Sequence, residues 1–366
     1  MKNLFIASAV AALVAPVAMA EEIKLGVIFG FTGPIESLTG SMAAGAEMAM
    51  TEVTESGLLL DGATVVSVRG DSTCIDSAAA TATAERLVTS DKVNAIVGAD
   101  CSGVTSAVLQ NVARANGIVM VSPSATSPGL STAEDNGLFF RTAPSDAREG
   151  QVMSDILMEK DIKSVAVTYT NNDYGKGLSD SFISAFEAAG GSITINVAHE
   201  DGKADYASEV ATLASAGGDI LVVAGYLDQG GRGIIEGSLD TGAWDKFVLP
   251  GGMIGDTILT VGEGLNGSFG QVAGTDSPGV DIYSKMTEAA GFDGTSPFTP
   301  ESYDAAALIM LAMQAAGSSD SAKLKDKVFD VANAPGEKIF PGELAKALQI
   351  LKDGGDIDYV GASAVE

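Results

Sequence analysis

Residues 96–108 read IVGADCSGVTSAV, and this stretch indicates the class of fold. It passes from a short apolar segment, through glycine and small hydroxyl residues, into a run rich in alanine and valine. Such a pattern predicts a buried strand, a tight loop and the start of a helix. Gly98, Gly103 and Thr105 approach the spacing of a phosphate-binding loop, but Val104 stands where that loop needs lysine. The loop between the predicted strand and helix therefore offers backbone amides and hydroxyls to a ligand, but no cationic side chain.

The same alternation of strand and helix patterns runs through most of the chain. Residues 23–30, 63–71 and 164–170 are apolar runs with the composition of strands, and helix-like segments separate them. Near-continuous apolar strands between helices predict parallel sheets that are covered on both faces. Because the pattern restarts after residue 146, we predict two consecutive doubly wound α/β units. A helix-rich segment at about 280–333 is expected to return to the first sheet.

The N-terminal segment and the charge indicate where the protein works and which partners it excludes. Residues 1–20 combine one lysine, an apolar core and an Ala-Met-Ala end, which is the pattern of a cleaved secretory signal peptide. The alternative, a membrane anchor, needs a longer apolar run. The formal net charge is −27, from 48 acidic and 21 basic residues. A surface this acidic repels phosphate backbones, so we expect no nucleic-acid partner.

Cys74 and Cys101 are the only cysteines of the chain. In an exported protein, two cysteines most simply form one disulfide, which would contribute roughly 3–4 kcal/mol. A zinc site would need carboxylates beside one histidine and two cysteines, and a redox pair is more often a close C-x-x-C. We therefore expect no metal and no cofactor.

Known enzyme motifs are not matched by this sequence. Residues 230–237, GGRGIIEG, miss the spacing of a dinucleotide-binding loop, and there is no G-x-S-x-G motif. A Ser-His-Asp triad would have to use His199, the only histidine, which we predict to be a solvated loop residue. We predict that the protein is not an enzyme.

Two hydroxyl-rich loops instead point to a binding site. Residues 101–106 and 122–128 each follow a strand of the first unit, so both lie at the carboxyl edge of that sheet. Free N–H groups at a helix N-terminus, with Ser and Thr hydroxyls, can hold a carboxylate. The alternative for each loop alone is ordinary helix capping. Two adjacent loops favour a ligand site.

Several motifs, taken together and in order, resemble the periplasmic solute-binding proteins of ABC transporters, of the branched-chain amino-acid type. The resemblance covers essentially the whole mature chain, and its motifs are GVIFGFTGP (26–34), GD-STC (70–74), IVGADCSG (96–103), VSPSATSPGLS (121–131), FFRTAPSD (139–146), NNDYGKG (171–177), VVAGY (222–226) and ESYDAAALI (301–309).

The resemblance implies the type I periplasmic binding fold, in which two doubly wound parallel-sheet lobes joined by three crossovers close on a ligand. It places lobe one at about 21–142 plus 274–338, and lobe two at about 143–273 plus 339–366. It implies a protein that delivers a small molecule to an ABC permease, and it implies that Cys74 and Cys101 are disulfide-bonded. With the signal peptide, we expect this protein to be periplasmic, and we expect it to be a monomer. A sensory receptor domain of this fold and an exported α/β enzyme are the alternatives.

The resemblance also assigns roles in ligand binding. It matches the carboxylate-gripping residues of the first lobe to Ser102, Ser124 and Thr126. It matches two second-lobe aromatic residues to Tyr174 and Tyr226, for which packing at the lobe edge is the alternative. An apolar wall is matched to Phe298.

Two departures from the family pattern bear on the ligand. Amino-acid binders place a carboxylate in a P-E-G motif to receive the ammonium group, whereas this chain reads Pro250-Gly251-Gly252. Asp100 stands where leucine binders have an apolar contact, and a buried carboxylate there needs a cation or a hydrogen-bond donor. Asp228 and Glu36 are further candidate ligand acids, or else solvated loop residues. We predict a polar or cationic solute, such as an amino acid or a related amide, amine or carboxylate, other than leucine, isoleucine or valine.

Overall fold

The structure is a computed structural model that describes residues 21–365. The predicted signal peptide, residues 1–20, lies outside the described residues. The strands are β1 Glu22–Phe29, β2 Thr64–Asp71, β3 Ala95–Gly98, β4 Met120–Ser122, β5 Phe139–Arg141, β6 Ser164–Thr170, β7 Ser192–His199, β8 Ile220–Ala224, β9 Phe247–Leu249, β10 Phe269–Gly270, β11 Glu337–Ile339 and β12 Ile357–Tyr359. The helices are α1 Glu36–Ser56, α2 Ser77–Arg86, α3 Ser102–Val108, α4 Arg114–Asn116, α5 Asp146–Glu159, α6 Asp173–Ala188, α7 Ala207–Ala216, α8 Gly230–Thr241, α9 Pro278–Ala290, α10 Thr299–Ala316, α11 Ser321–Leu324, α12 Val328–Ala332 and α13 Leu344–Lys352.

Two five-stranded parallel sheets organise the chain. The first has the order β2-β1-β3-β4-β5 and the second the order β10-β9-β8-β6-β7. We call the units around them the first and second lobes. The central strands are apolar on both faces, and every residue of β3 and β8 is buried. Such strands are stable only where helices cover both sides of the sheet. The predicted α/β class with two doubly wound lobes is confirmed.

Helix α10 is the most deeply buried helix near the first sheet. It packs against α1 and touches β3 and β4, and every residue from Thr299 to Gln314 except Pro300 is buried. Its alanines allow this close approach, since a small side chain lets neighbouring backbones come near. This is the position expected for the late helix-rich segment. Within residues 21–365, no helix is long and apolar enough to cross a membrane.

The C-terminal segment differs from the prediction. Residues 339–366 were expected in the second lobe, but α13 packs against α1 and α10, and β12 pairs with β11. The buried Asp304 of α10 explains this, because it accepts hydrogen bonds from the Tyr359 hydroxyl at 2.8 Å and from the Ala362 N–H at 2.8 Å. The described part of this segment is therefore held on the first lobe.

The lobes are joined where the chain leaves each sheet. Residues 141–144, 272–275 and 362–365 converge around one cavity of about 630 Å³. The first two stretches directly follow β5 and β10, so they carry the chain from one sheet to the other. These short extended connections allow the lobes to change their angle while each sheet stays intact.

A disulfide joins Cys74 and Cys101, as predicted. It connects the loop after β2 to the residue that precedes α3. No group of three or more His, Cys, Asp or Glu residues suited to a metal ion occurs among residues 21–365. Because the disulfide joins these two segments, it fixes the start of α3 relative to β2.

Removing this disulfide is expected to destabilise the protein. We expect the double variant Cys74→Ser, Cys101→Ser to lose about 3 kcal/mol of unfolding free energy, because the unfolded chain regains the entropy of the open loop. Urea unfolding of the purified full chain measures this loss, and wild-type protein under reductant is the matched control. A loss below about 1 kcal/mol in both would contradict the prediction.

Candidate functional site

A small cavity of about 30 Å³ lies between the two lobes. Seven of the residues predicted from the sequence line it, namely Asp100, Ser102, Ser124, Thr126, Tyr174, Tyr226 and Phe298. The other lining residues are Ile35, Leu38, Cys101, Glu149, Gly251 and Gly252. Because both lobes contribute side chains, a molecule bound here would contact both of them at once.

The loops after β3 and β4 supply the hydroxyls of the first lobe. Ser102 Oγ accepts a hydrogen bond from the Ser127 N–H at 3.0 Å, and Ser124 Oγ donates to the Asp100 carbonyl oxygen at 3.0 Å. The two loops are thereby tied together. The Ser102 hydroxyl hydrogen remains free to donate, and Thr126 lies beside it on the same wall.

The start of α3 adds backbone donors to this wall. Cys101 occupies the N-cap position, and its side chain makes no capping hydrogen bond. The first N–H groups of a helix have no partner within the helix, and Cys101 and Ser102 at this helix start both line the cavity. Hydroxyls and amides in this arrangement suit an anionic oxygen, and a carboxylate in particular.

Two stacked tyrosines form the wall of the second lobe. The rings of Tyr174 and Tyr226 are 5.1 Å apart and 20° from parallel. Tyr174 Oη accepts a hydrogen bond from the Gly252 N–H at 3.1 Å, and Asn172 Nδ2 donates to Tyr226 Oη at 3.4 Å. Burial raises the pKa of both phenols, so both stay neutral. A Cβ at Gly252 would lie 2.7 Å from Tyr174 Oη, which explains the glycine there.

Apolar residues of the first lobe form a further wall of the cavity. Ile35 and Leu38 are buried at the start of α1, and Phe298 precedes α10 with a positive φ of 64°. Phe298 lies where the family resemblance places an apolar wall. Ile35 and Leu38 were not predicted, because single apolar residues near a helix start do not differ from ordinary core residues.

Asp100 lines the cavity, but the protein itself satisfies its carboxylate. Oδ2 accepts a hydrogen bond from the Gly30 N–H at 2.5 Å, and Oδ1 accepts one from the Ser72 hydroxyl at 2.8 Å. Burial nonetheless raises the pKa of this carboxyl. The donor that a buried carboxylate requires is therefore already present, so Asp100 does not by itself indicate a cationic ligand.

The structure does not bring Asp228 or Glu36 to the cavity. Asp228 Oδ2 accepts from the Ser37 N–H and Oδ1 from the Thr257 hydroxyl, both at 2.9 Å. It thus links the second lobe to the start of α1 in the first. Glu36 is exposed, and its carboxylate accepts from the Gly33 N–H at 3.4 Å.

Glu149 is the charged residue of the cavity that the sequence did not predict. It lies in the first turn of α5, and its Oε1 accepts hydrogen bonds from the Gly251 N–H at 2.8 Å and from Gln271 Nε2 at 3.0 Å. Burial raises the pKa of this carboxyl. Acids in the first turn of a helix are common for reasons of helix stability alone, which is why this residue was not singled out.

His199 corrects another prediction, since it is not a solvated loop residue. It ends β7, it is 1% exposed, and its Nδ1 lies 2.8 Å from the Thr168 hydroxyl. No described residue hydrogen-bonds its Nε2. Gly225 and Gly230 pack against the ring, so the histidine fills a space that two glycines leave open.

Comparisons with known proteins agree with this architecture. The family model described as "Periplasmic binding protein" matches residues 22–338. The Leu/Ile/Val-binding protein homolog 3 of Brucella melitensis is 29% identical over 320 residues, which cover 82% of this chain and 80% of that protein.

Two solved structures have the same fold. The leucine binding protein LivK from Thermotoga maritima has a TM-score of 0.76 at 21% identity, covering 94% of this chain and 90% of that one. An ABC transporter solute binding protein from R. palustris, in complex with 4-hydroxybenzoate, has a TM-score of 0.71 at 21% identity, with 86% of each chain covered. The chain therefore belongs to the periplasmic binding protein family, as a solute-binding protein of the Leu/Ile/Val-binding-protein-like type and not an enzyme.

Proposed function

We propose that this protein captures a small polar solute carrying a carboxylate in the cavity between its lobes and delivers it to an ABC permease. The observation that carries this proposal is the hydroxyl and amide wall formed by Ser102, Ser124 and Thr126 with the uncapped start of α3. Export by the predicted signal peptide would place the protein in the periplasm, where such a solute is met before import.

The relatives support a carboxylate as the shared feature of the ligand. Leucine, isoleucine, valine and 4-hydroxybenzoate, which the names of these relatives mention, differ in size and shape but all carry a carboxylate. A wall that binds this group can stay the same while the rest of the cavity selects the solute.

Closure of the lobes is the mechanism that we propose for capture. The carboxylate wall belongs to the first lobe and the tyrosine pair to the second, so a solute gains its full set of contacts only when the lobes are closed. Such a ligand shifts the equilibrium toward the closed form by the difference between its affinities for the closed and the open form. The hydrogen bond from the Ser37 N–H to Asp228, which crosses between the lobes, would add to the stability of the closed form.

The solute is proposed to be more polar than leucine, isoleucine or valine. Gly251 removes the carboxylate that amino-acid binders of this family place at that position, so the site that receives the ammonium must be built differently.

Isothermal titration calorimetry with a solute panel tests this function. The panel is glycine, L-leucine, 4-hydroxybenzoate, propionate and putrescine, a diamine without a carboxylate. We expect at least one carboxylate-bearing member to bind more tightly than L-leucine, and no binding by putrescine. Tight binding of putrescine, or no binding by any carboxylate, would contradict the proposal. Binding of L-leucine more tightly than any other member would contradict a solute more polar than leucine, isoleucine or valine.

A further inference from the structure

We propose that Glu149, supported by Asp146, receives an ammonium group of the solute, so that the solute carries a protonated amine as well as a carboxylate. This inference rests on the proposed function and specifies the class of solute. It assigns the amine to an acidic residue on α5, a different element from the loop after β9 that holds position 251.

The carboxylate of Glu149 lies next to the place where a side chain at residue 251 would begin. A Cβ built on Gly251 would be 3.6 Å from Glu149 Oε1 and 3.9 Å from Oε2. These are ordinary contact distances, so the Glu149 carboxylate lies beside the space that a side chain at residue 251 would occupy. The negative charge that is missing at position 251 is thus present in the same region of the cavity.

The hydrogen bonds of Glu149 hold it in position and leave one oxygen for a ligand. The Gly251 N–H and Gln271 Nε2 both donate to Oε1. Within residues 21–365, both hydrogen bonds from N–H donors go to Oε1, and the Asp146 carboxyl is the other group close enough to hydrogen-bond to Glu149. A carboxylate oxygen at the wall of a ligand cavity, with its partner oxygen fixed, is well placed to accept from an ammonium group.

Asp146 adds a second carboxyl group one helical turn away. It is completely buried, and neither of its carboxylate oxygens has a hydrogen-bond partner among the described residues. Its backbone N–H donates to the Thr126 carbonyl oxygen at 2.9 Å, which ties the start of α5 to the loop of the carboxylate wall. A buried acid without a partner is costly, and a cation nearby would reduce that cost.

Arg141 is a cation whose charge acts on Asp146, but it does not pair with that carboxyl directly. Arg141 donates to the carbonyl oxygens of Ala125 and Ser127, at 3.1 Å and 2.9 Å, and makes no hydrogen bond to Asp146. The charge of the acidic pair is therefore incompletely balanced within the described part of the chain, and a solute cation would balance it.

The release of protons from Asp146 and Glu149 on binding gives a second measurement of the proposal. Burial and the charge of Glu149 raise the pKa of Asp146 well above its usual value, and burial raises the pKa of Glu149. The titratable groups that face the pair are Arg141, Tyr174, Tyr226 and Asp100, and the two tyrosines stay neutral. An ammonium group beside the pair would favour its ionised form, so binding would release protons.

Calorimetry with matched pairs of acids tests the proposal on the full chain. The pairs are glycine and acetate, L-alanine and propionate, L-leucine and 4-methylpentanoate, and 4-aminobutyrate and butyrate. We expect the preferred amine to bind about 100-fold more tightly than its deaminated partner, because the deaminated acid leaves the buried charge unpaired. Titration in buffers of different ionisation enthalpy should show proton release for the amine alone.

Three variants locate the effect. Glu149→Gln keeps the shape and removes the charge, so it should weaken amine binding about 100-fold and change the deaminated acid less than threefold. The double variant Glu149→Gln, Gly251→Glu should regain at least tenfold of the lost amine affinity, since it moves the carboxylate to residue 251. Ser102→Ala should weaken both members of a pair.

The outcomes separate the two proposals. Unchanged amine preference in Glu149→Gln would show that this glutamate only holds Gly251 and Gln271, and would overturn the inference. Equal binding of amines and deaminated acids that depends on Ser102 would also overturn it, while leaving carboxylate capture intact. Binding by no pair, or binding that is indifferent to Ser102→Ala, would overturn the proposed function as well. Thermal unfolding of each variant checks that the fold is kept.

Discussion

Replacing Ser102 by alanine and Thr126 by valine in the same chain is expected to weaken solute binding by at least about 100-fold. Each hydroxyl lies on the wall that we assign to the solute carboxylate. A hydrogen bond to a charged group contributes about 1.5–3 kcal/mol, so the loss of two such bonds explains the size of the effect. Calorimetric titration with the tightest carboxylate of the solute panel measures it.

A matched control separates binding from stability. Thr132→Val removes an exposed hydroxyl of the first lobe, which donates a hydrogen bond to the Gly129 carbonyl oxygen outside the cavity. It should leave the affinity unchanged. Ser102 Oγ also accepts from the Ser127 N–H, so the unfolding free energy of the double variant is measured as well. Wild-type affinity in a folded double variant would show that the carboxylate lies elsewhere.

The free energy of unfolding is expected to fall at acid pH because His199 is buried in its neutral form. Burial lowers the pKa of His199 from its usual 6.5 to about 4. Between these values the unfolded chain binds a proton that the folded protein does not, so stability falls as the pH falls through this range. The gap between the two values corresponds to about 3 kcal/mol, all of it lost by about pH 4.

Comparison with His199→Gln isolates this effect from other groups that titrate. Buried acids such as Asp146, Glu149 and Asp201 have raised pKa values, and they change stability in the opposite direction as the pH falls. We therefore expect the stability of wild type minus that of the variant to fall by about 3 kcal/mol between pH 7.5 and pH 4. Urea unfolding at both pH values measures this difference. A difference that does not change with pH would contradict the prediction.

The strand and loop patterns of the sequence were sufficient to predict the lobes and one wall of the site. Strands such as β3 and β8 are apolar throughout, and two buried parallel sheets are the structures that such strands form. The loops after β3 and β4 meet at the cavity because the carboxyl ends of neighbouring parallel strands lie at one edge. The disulfide followed from there being only two cysteines in the chain.

The remaining features depend on contacts between residues that are far apart in sequence. Glu149 reaches residue 251 across 102 positions of the chain, and nothing near either residue predicts this contact. Asp100 obtains its donors from Gly30 and Ser72, each on a different strand connection. His199 is buried by glycines of a later helix and loop. In each case the partner is set by how the elements pack, not by local sequence pattern.

Native mass spectrometry of the protein purified from its own host tests the central claim, that the two lobes close on a solute carboxylate. We predict that the wild type retains one small molecule, that this molecule carries a carboxyl group and is released chemically unchanged, and that the Ser102→Ala, Thr126→Val variant prepared in parallel has lost it. A molecule without a carboxyl group, or one retained equally by the variant, would contradict the account.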